Sequence, residues 1–140
     1  MFNVFGSSIA IVAKSIVVQH CILPCGVTPL PAAARRAILE RMKVILFNGS
    51  RRVDGCTNAA LTLVANELNA NGIETELFWV GGRALTGEID ALVAEALEKV
   101  QGADGIVLGS PVYYASPSGE LLAFLDRLYW QGEKYLRFKP

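Results

Sequence analysis

Apolar and polar residues change their period along this chain, and each change marks an element. Val44 to Phe47 is a short unbroken apolar run that stops at Asn48-Gly49-Ser50, as a parallel strand buried on both faces does. From Thr57 onward Leu61, Val64, Ala65 and Leu68 recur at helical spacing as far as Asn71-Gly72, with Thr57-Asn58 read as the cap. Ile73 to Val80 then alternates, Ile73, Thr75, Leu77 and Trp79 falling on one face and Glu74, Glu76 and Phe78 on the other. That period predicts a half-exposed edge strand. Asp90 opens a helix with Leu92, Val93, Ala96, Leu97 and Val100 inward, and Gly102 ends it. Gly105 to Gly109 is a second continuous apolar run, and a last helix is expected from about Glu120 to Trp130. Its buried residues should be Leu121, Leu122, Leu125 and Leu128. Strand and helix alternating three times is the doubly wound α/β pattern.

The segment between Asn48 and Thr57 carries candidate chemistry. A loop of turn formers and small donors, leading from a strand into a helix, aims N–H groups and hydroxyls at the positive end of the helix dipole. Such a loop suits a phosphate, and Arg51 and Arg52 add positive charge. An ordinary strand-to-helix connection is the plainer alternative. A Walker loop needs four residues between its glycines and then Lys-Ser/Thr; here five separate Gly49 from Gly55, and Cys56 stands where the lysine belongs. No G-x-G-x-x-G follows the strand. A cysteine phosphatase would need an arginine a few residues beyond Cys56, and Thr57 to Val64 has none. The remaining reading is a mononucleotide phosphate held by hydroxyls and amides.

The second apolar run leads into Ser110-Pro-Val-Tyr-Tyr-Ala-Ser-Pro-Ser-Gly119. Two adjacent tyrosines on a Pro/Gly/Ser-rich loop cannot both be core residues. One or both should offer a ligand a flat apolar face and a hydroxyl. A solvent loop with incidental tyrosines is the alternative.

Together, Asn-Gly-Ser-x-Arg-x-x-Gly-x-Thr, Ser-Pro-Val-Tyr-Tyr-x-Ser-Pro-Ser-Gly and the following Phe124-Leu-Asp-Arg127 resemble the flavodoxin-like NAD(P)H-dependent FMN reductases. The resemblance covers Met42 to Pro140. It implies a flavodoxin-like sheet in the order 2-1-3, with both loops opening onto one crevice at the switch point. It also implies that Ser50, Arg52, Cys56 and Thr57 surround the FMN phosphate. Pro111, Val112, Tyr113 and Tyr114 would lie along the isoalloxazine ring, with Ser118 and Gly119 closing the turn. Arg51 occupies a position where the family often has proline. The chain stops at Arg137-Phe-Lys-Pro140, where a fourth strand is expected. With later strands missing, the third strand would have a bare edge, an aggregation hazard, unless Ile9 to Val18 supplies a replacement. Residues 42–140 are therefore read as a truncated FMN-binding domain.

Residues 1–41 read differently. They carry Lys14, Arg35, Arg36 and Arg41 against Glu40 alone, while the remaining nine basic and twelve acidic residues lie in 42–140. Ser15 to Leu23 followed by Ala32-Ala33-Ala34 could be an apolar core and cleavage site, and Arg35-Arg36 in an acidic-poor leader could mark an organelle transit segment. Lys14 splits the apolar stretch too early for a membrane span. The preferred reading is an N-terminal extension translated from upstream of a true start at Met42.

The whole chain is 140 residues, 52% apolar and of zero formal charge, as one ordinary globular domain should be. No basic patch with interleaved aromatics points to nucleic acid. Cys21 and Cys25 with His20 fall short of a zinc site, and no metal is expected. No cysteine follows Cys56, so no iron–sulfur cluster is expected either. An odd cysteine count suits a reducing, cytoplasmic compartment. The implied chemistry is hydride or electron transfer from NAD(P)H through FMN to a quinone or other small acceptor, with no side chain marked as a general acid. A flavodoxin-type electron carrier and an inactive fragment are the rivals. A homodimer or homotetramer is implied by resemblance only.

Overall fold

The computed structural model describes residues 2–4, 7–13 and 31–136. In chain order the elements are β1 (Phe2–Val4), β2 (Ser7–Ala13), α1 (Ala32–Leu39), β3 (Lys43–Asn48), α2 (Cys56–Ala70), β4 (Glu74–Trp79), a short 3-10 turn (Gly82–Leu85), α3 (Ile89–Gln101), β5 (Gly105–Tyr113), β6 (Ser116–Pro117) and α4 (Gly119–Leu136). Cys21, Cys25, His20 and Lys14, weighed above, lie outside the described residues.

β3 is the centre of the sheet. β4 pairs with it in parallel from Lys43↔Glu74 to Asn48↔Trp79, and β5 pairs in parallel on its other side from Val44↔Gly105 to Asn48↔Gly109. Three consecutive strands thus take the predicted order 2-1-3. Ile45, Leu46 and Phe47 are completely buried, and burying a side chain of this size is worth about 1.5–3 kcal/mol. Alternation sends Ile45 and Phe47 into a core with Phe78, α3 and α4, and Val44 and Leu46 into a second core with Val107 and Leu61. Phe47 meets Phe78 edge-on at 5.6 Å and Phe124 at 5.2 Å. Helices on both faces explain why β3 is unbrokenly apolar.

The outer edge of β5 is not bare. β2 pairs with it antiparallel from Ser7↔Pro111 to Ala13↔Gly105, and β1 pairs antiparallel with β2. The sheet runs β1-β2-β5-β3-β4. The replacement strand, considered second to an exposed edge, is what the structure contains, over Ser7–Ala13 rather than from Ile9 onward. Ala32-Ala33-Ala34, weighed as a cleavage site, opens α1, whose Leu39 packs on the second core.

Other departures are local. α2 starts one residue before Thr57; its N-cap is Gly55, with no side-chain cap bond. Along β4 Phe78 is the deeply buried residue and Leu77 is 41% exposed. Glu76 shares the inner side at its margin because Lys43 and Lys99 pair with its carboxylate. α4 extends past Trp130 and buries Leu121, Phe124 and Leu128, while Leu122 is exposed. Phe124 fills the helical position that Leu122 was expected to share.

Candidate functional site

The pairing of Asn48 with Gly109 sets β3 and β5 level at their carboxyl ends, so the two loops leave the sheet side by side. Gly49 N–H donates to the Gly109 carbonyl at 2.8 Å. The fully buried Asn48 accepts the Ser50 N–H at 3.0 Å on Oδ1 and donates through Nδ2 to Asn58 Oδ1 at 3.3 Å, tying the strand end to the first turn of α2. Ser50 is buried, and its Oγ accepts the Arg52 N–H at 3.2 Å. As an acceptor there, the hydroxyl keeps its own proton to donate.

The end of β4 supplies a third wall. Val80 and Gly81 N–H groups donate to the Asn48 carbonyl, at 2.9 and 3.2 Å. The Trp79 indole N–H donates to the Ser50 carbonyl at 2.8 Å. Gly81 approaches so closely that a Cβ there would lie 1.9 Å from the Ser50 carbonyl oxygen. Only glycine allows that approach. Similarly, a Cβ on Gly49 would meet Leu121 Cβ at 2.8 Å, so α4 packs directly against the loop backbone.

Beyond Ser50 the loop faces outward. Arg51, Arg52, Val53 and Asp54 are exposed, as is the free thiol of Cys56. Thr57 is buried within the first turn of α2. That turn has no side-chain N-cap bond and no acidic residue of its own, so no carboxylate of the helix offsets the positive end of its dipole. Among the described residues the Arg52 guanidinium has no ion-pair partner.

The tyrosine segment is a hairpin. β6 turns back on the end of β5 through Val112↔Pro117 and Tyr113↔Ser116. The two residues of the turn, Tyr114 and Ala115, have φ of 50° and 63°. Positive φ at both central positions gives a two-residue hairpin its twist but is strained outside Gly and Asn. Tyr114 is fully exposed, Tyr113 is about half exposed, and Pro111 and Val112 are half-buried. The loop's composition required only that the two tyrosines not both be buried, and neither is. Gly119 is exposed at the start of α4.

Ser118 lies underneath. It is 1% exposed; its Oγ donates to the Gly49 carbonyl at 2.8 Å and accepts the Leu121 N–H at 3.3 Å, while its N–H donates to Ser110 Oγ at 2.8 Å. Ser118 is thus an N-cap for α4 and a tie to the loop that follows β3. A second tie runs from Arg51 Nε to Glu120 Oε1. Burial opposes ionisation of Glu120, but the Arg51 hydrogen bond, its own backbone N–H and the Arg51 charge outweigh it and hold the carboxyl below its ordinary range. The Glu120 hydrogen bond and charge correspondingly raise Arg51. Asn48, Trp79, Gly81 and Glu120 all escaped the sequence reading. Asn48 opens the Asn-Gly-Ser motif without its side-chain role being marked, while Trp79 and Gly81 left a weaker signal, an aromatic and a glycine pair at the carboxyl end of an edge strand.

A parallel 2-1-3 core, with both loops at the carboxyl ends of adjacent strands, defines a flavodoxin-like α/β protein. The chain belongs to the NADPH-dependent FMN reductase family, whose sequence profile matches residues 42–140. It is 35% identical over 99 residues to an iron-sulfur flavoprotein of Methanocaldococcus jannaschii, covering 61% of this chain and 51% of that protein. It is 28% identical over 110 residues to an FMN-dependent NADPH-azoreductase of Staphylococcus haemolyticus, and 30% identical to one of Staphylococcus aureus, each time covering 71% of this chain and 57% of the relative. The chain spans about half the length of the curated relatives it matches. No solved structure matched it. No helix among the described residues is long and apolar enough to cross a membrane, and none of those residues form a cluster placed to hold a metal ion.

Proposed function

We propose that the cleft between the two loops binds FMN and that the protein passes reducing equivalents from NAD(P)H to a small acceptor, a quinone or an azo compound. One observation carries this reading: Gly49 is bonded to both Gly109 and Ser118, so the phosphate-suited loop and the aromatic hairpin lie side by side. The donor set fits a phosphate. It comprises the Ser50 hydroxyl, the first turn of α2 at Cys56 and Thr57, and Arg52, which has no ion-pair partner among the described residues. The Pro111-Val112-Tyr113-Tyr114 segment fits a flat apolar ring, with Ser118 and Gly119 fixing the turn behind it.

When bound, FMN supplies a ring that takes hydride from a nicotinamide and gives electrons to an acceptor. This chain's residues contribute binding and orientation. Trp79 and Gly81 hold the Ser50 carbonyl in place, and Asn48 fixes the loop to α2. Self-association as a homodimer or homotetramer belongs to the same reading, with Leu122, Tyr129 and Trp130 exposed on α4.

The test is to purify the full chain, add FMN and follow flavin absorbance, then steady-state NADPH oxidation with a quinone and with an azo dye. A yellow protein that oxidises NADPH with either acceptor is expected. A protein that stays colourless after FMN addition overturns the reading; a yellow one with almost no turnover points to an electron carrier.

A further inference from the structure

Adjacent arginines in the phosphate loop have opposite fates. Arg52 is exposed and unpaired among the described residues, whereas Arg51 reaches across the cleft to Glu120 on the first turn of α4. The Glu120 side chain is 6% exposed and that of Arg51 66%. A buried carboxylate beside a phosphate site would repel the anion and bear an uncompensated desolvation penalty. Arg51 cancels that charge. It also draws the outer rim of the loop onto α4, above the inner seam made by Ser118 Oγ and the Gly49 carbonyl. Tyr113 is the other titratable group that acts on the pair, through Arg51.

We propose that Arg51 and Glu120 are a positioning pair for the cofactor: a charged strap that fixes the phosphate loop against the hairpin–α4 junction and leaves the phosphate to Arg52. The inference rests on the FMN reading above. In the opposite arrangement Arg51 would serve the phosphate and Glu120 would compete for it, and removing the carboxylate would tighten binding.

The experiment measures FMN dissociation constants by flavin fluorescence, from neutral pH down through the carboxylate range. It compares the full-length wild type, Arg51→Ala, Arg51→Lys, Glu120→Gln and the Arg51→Ala/Glu120→Gln double variant. Loss of either partner should weaken FMN on the order of tenfold, as for loss of a charged hydrogen bond. The double variant should be no weaker than the poorer single one, and Arg51→Lys should recover part of the loss. Acid weakening seen in the wild type should be reduced in Glu120→Gln. Unchanged or tighter binding in Glu120→Gln, or single effects that multiply, overturns the strap while the FMN reading stands. If the wild type binds no FMN, the FMN reading fails, and hydrogen exchange judges the strap by itself. Amides of residues 50–56 should then exchange faster in Glu120→Gln, and equal rates overturn it.

Discussion

The hydroxyl of Ser118 donates to the carbonyl of Gly49 at 2.8 Å, joining two loops that are 69 residues apart in sequence. The same oxygen accepts the Leu121 N–H. Ser118→Ala removes a buried hydrogen bond and a helix cap at once, changes worth about 1–3 and 0.5–2 kcal/mol respectively. The urea midpoint should fall with an unchanged slope, and FMN affinity should fall with it. An unaltered midpoint would mean that the two loops are held together elsewhere.

Gly81→Ala should be among the most damaging substitutions. Its methyl group would lie 1.9 Å from the Ser50 carbonyl oxygen and must displace the loop backbone. Loss of more than tenfold in FMN affinity, about 1.4 kcal/mol, is expected in a titration. The neighbouring Gly87→Ala serves as a comparison, since a Cβ there meets nothing within 4 Å, although its φ of +80° carries strain of its own.

The chain has two tryptophans, and they report on different places. Trp79 is bonded to the Ser50 carbonyl, whereas Trp130 is 84% exposed on α4. FMN should quench Trp79 emission. Trp79→Phe should lose most of that response and about 1 kcal/mol of stability from the missing hydrogen bond. If the quench persists in full, Trp130 is the residue that senses the flavin.

Arg52→Ala should weaken FMN by about tenfold or more while leaving riboflavin, which lacks the phosphate, nearly unaffected. Equal losses for the two flavins would move Arg52 away from the phosphate.

At the sheet margin the Glu76 carboxyl is held low, chiefly by the Lys99 hydrogen bond and then by that of Lys43, and Lys43 is raised chiefly by Glu76. The depressed carboxyl contributes stability above its unfolded pKa, and this is lost as pH falls through the folded value. The raised lysine contributes below its unfolded pKa of about 10.4, and this is lost as pH rises through its folded value. Glu76→Gln should therefore destabilise most between these limits, with the difference from wild type shrinking in acid and in strong base. Urea midpoints measured across pH check the shape.

What the residues disclosed depended on how local the cause was. Val44–Phe47 and Gly105–Gly109 are apolar because helices cover both faces, so their runs could be read directly. The tyrosine pair stood out because two adjacent tyrosines on a Pro/Gly/Ser-rich loop cannot both be buried. Leu122 was misplaced because adjacent leucines leave the helical phase ambiguous by one residue, and Phe124, buried among aromatics, settles it. Thr57 looked like a cap because capping favours its type, yet Gly55 takes the role in an extended conformation. Trp79 and Glu120 act through partners 29 and 69 residues away, and no period or spacing specifies such pairs; Asn48 bonds close by, to Ser50 and Asn58, but nothing in the loop's pattern marked its side chain as a tie. The antiparallel match of β2 to β5 is of the same kind, since its backbone pairing leaves no motif.

That match also constrains how the molecule assembles on the ribosome. Ser7–Ala13 is synthesised about ninety residues before the strand it aligns with, Gly105–Tyr113. During that wait the leading ribbon has an open flank and no neighbour on that side, the condition in which a β-segment recruits the wrong chain. Slow translation or crowding of nascent chains would then lower soluble yield first through this segment, before any defect at the paired loops is felt.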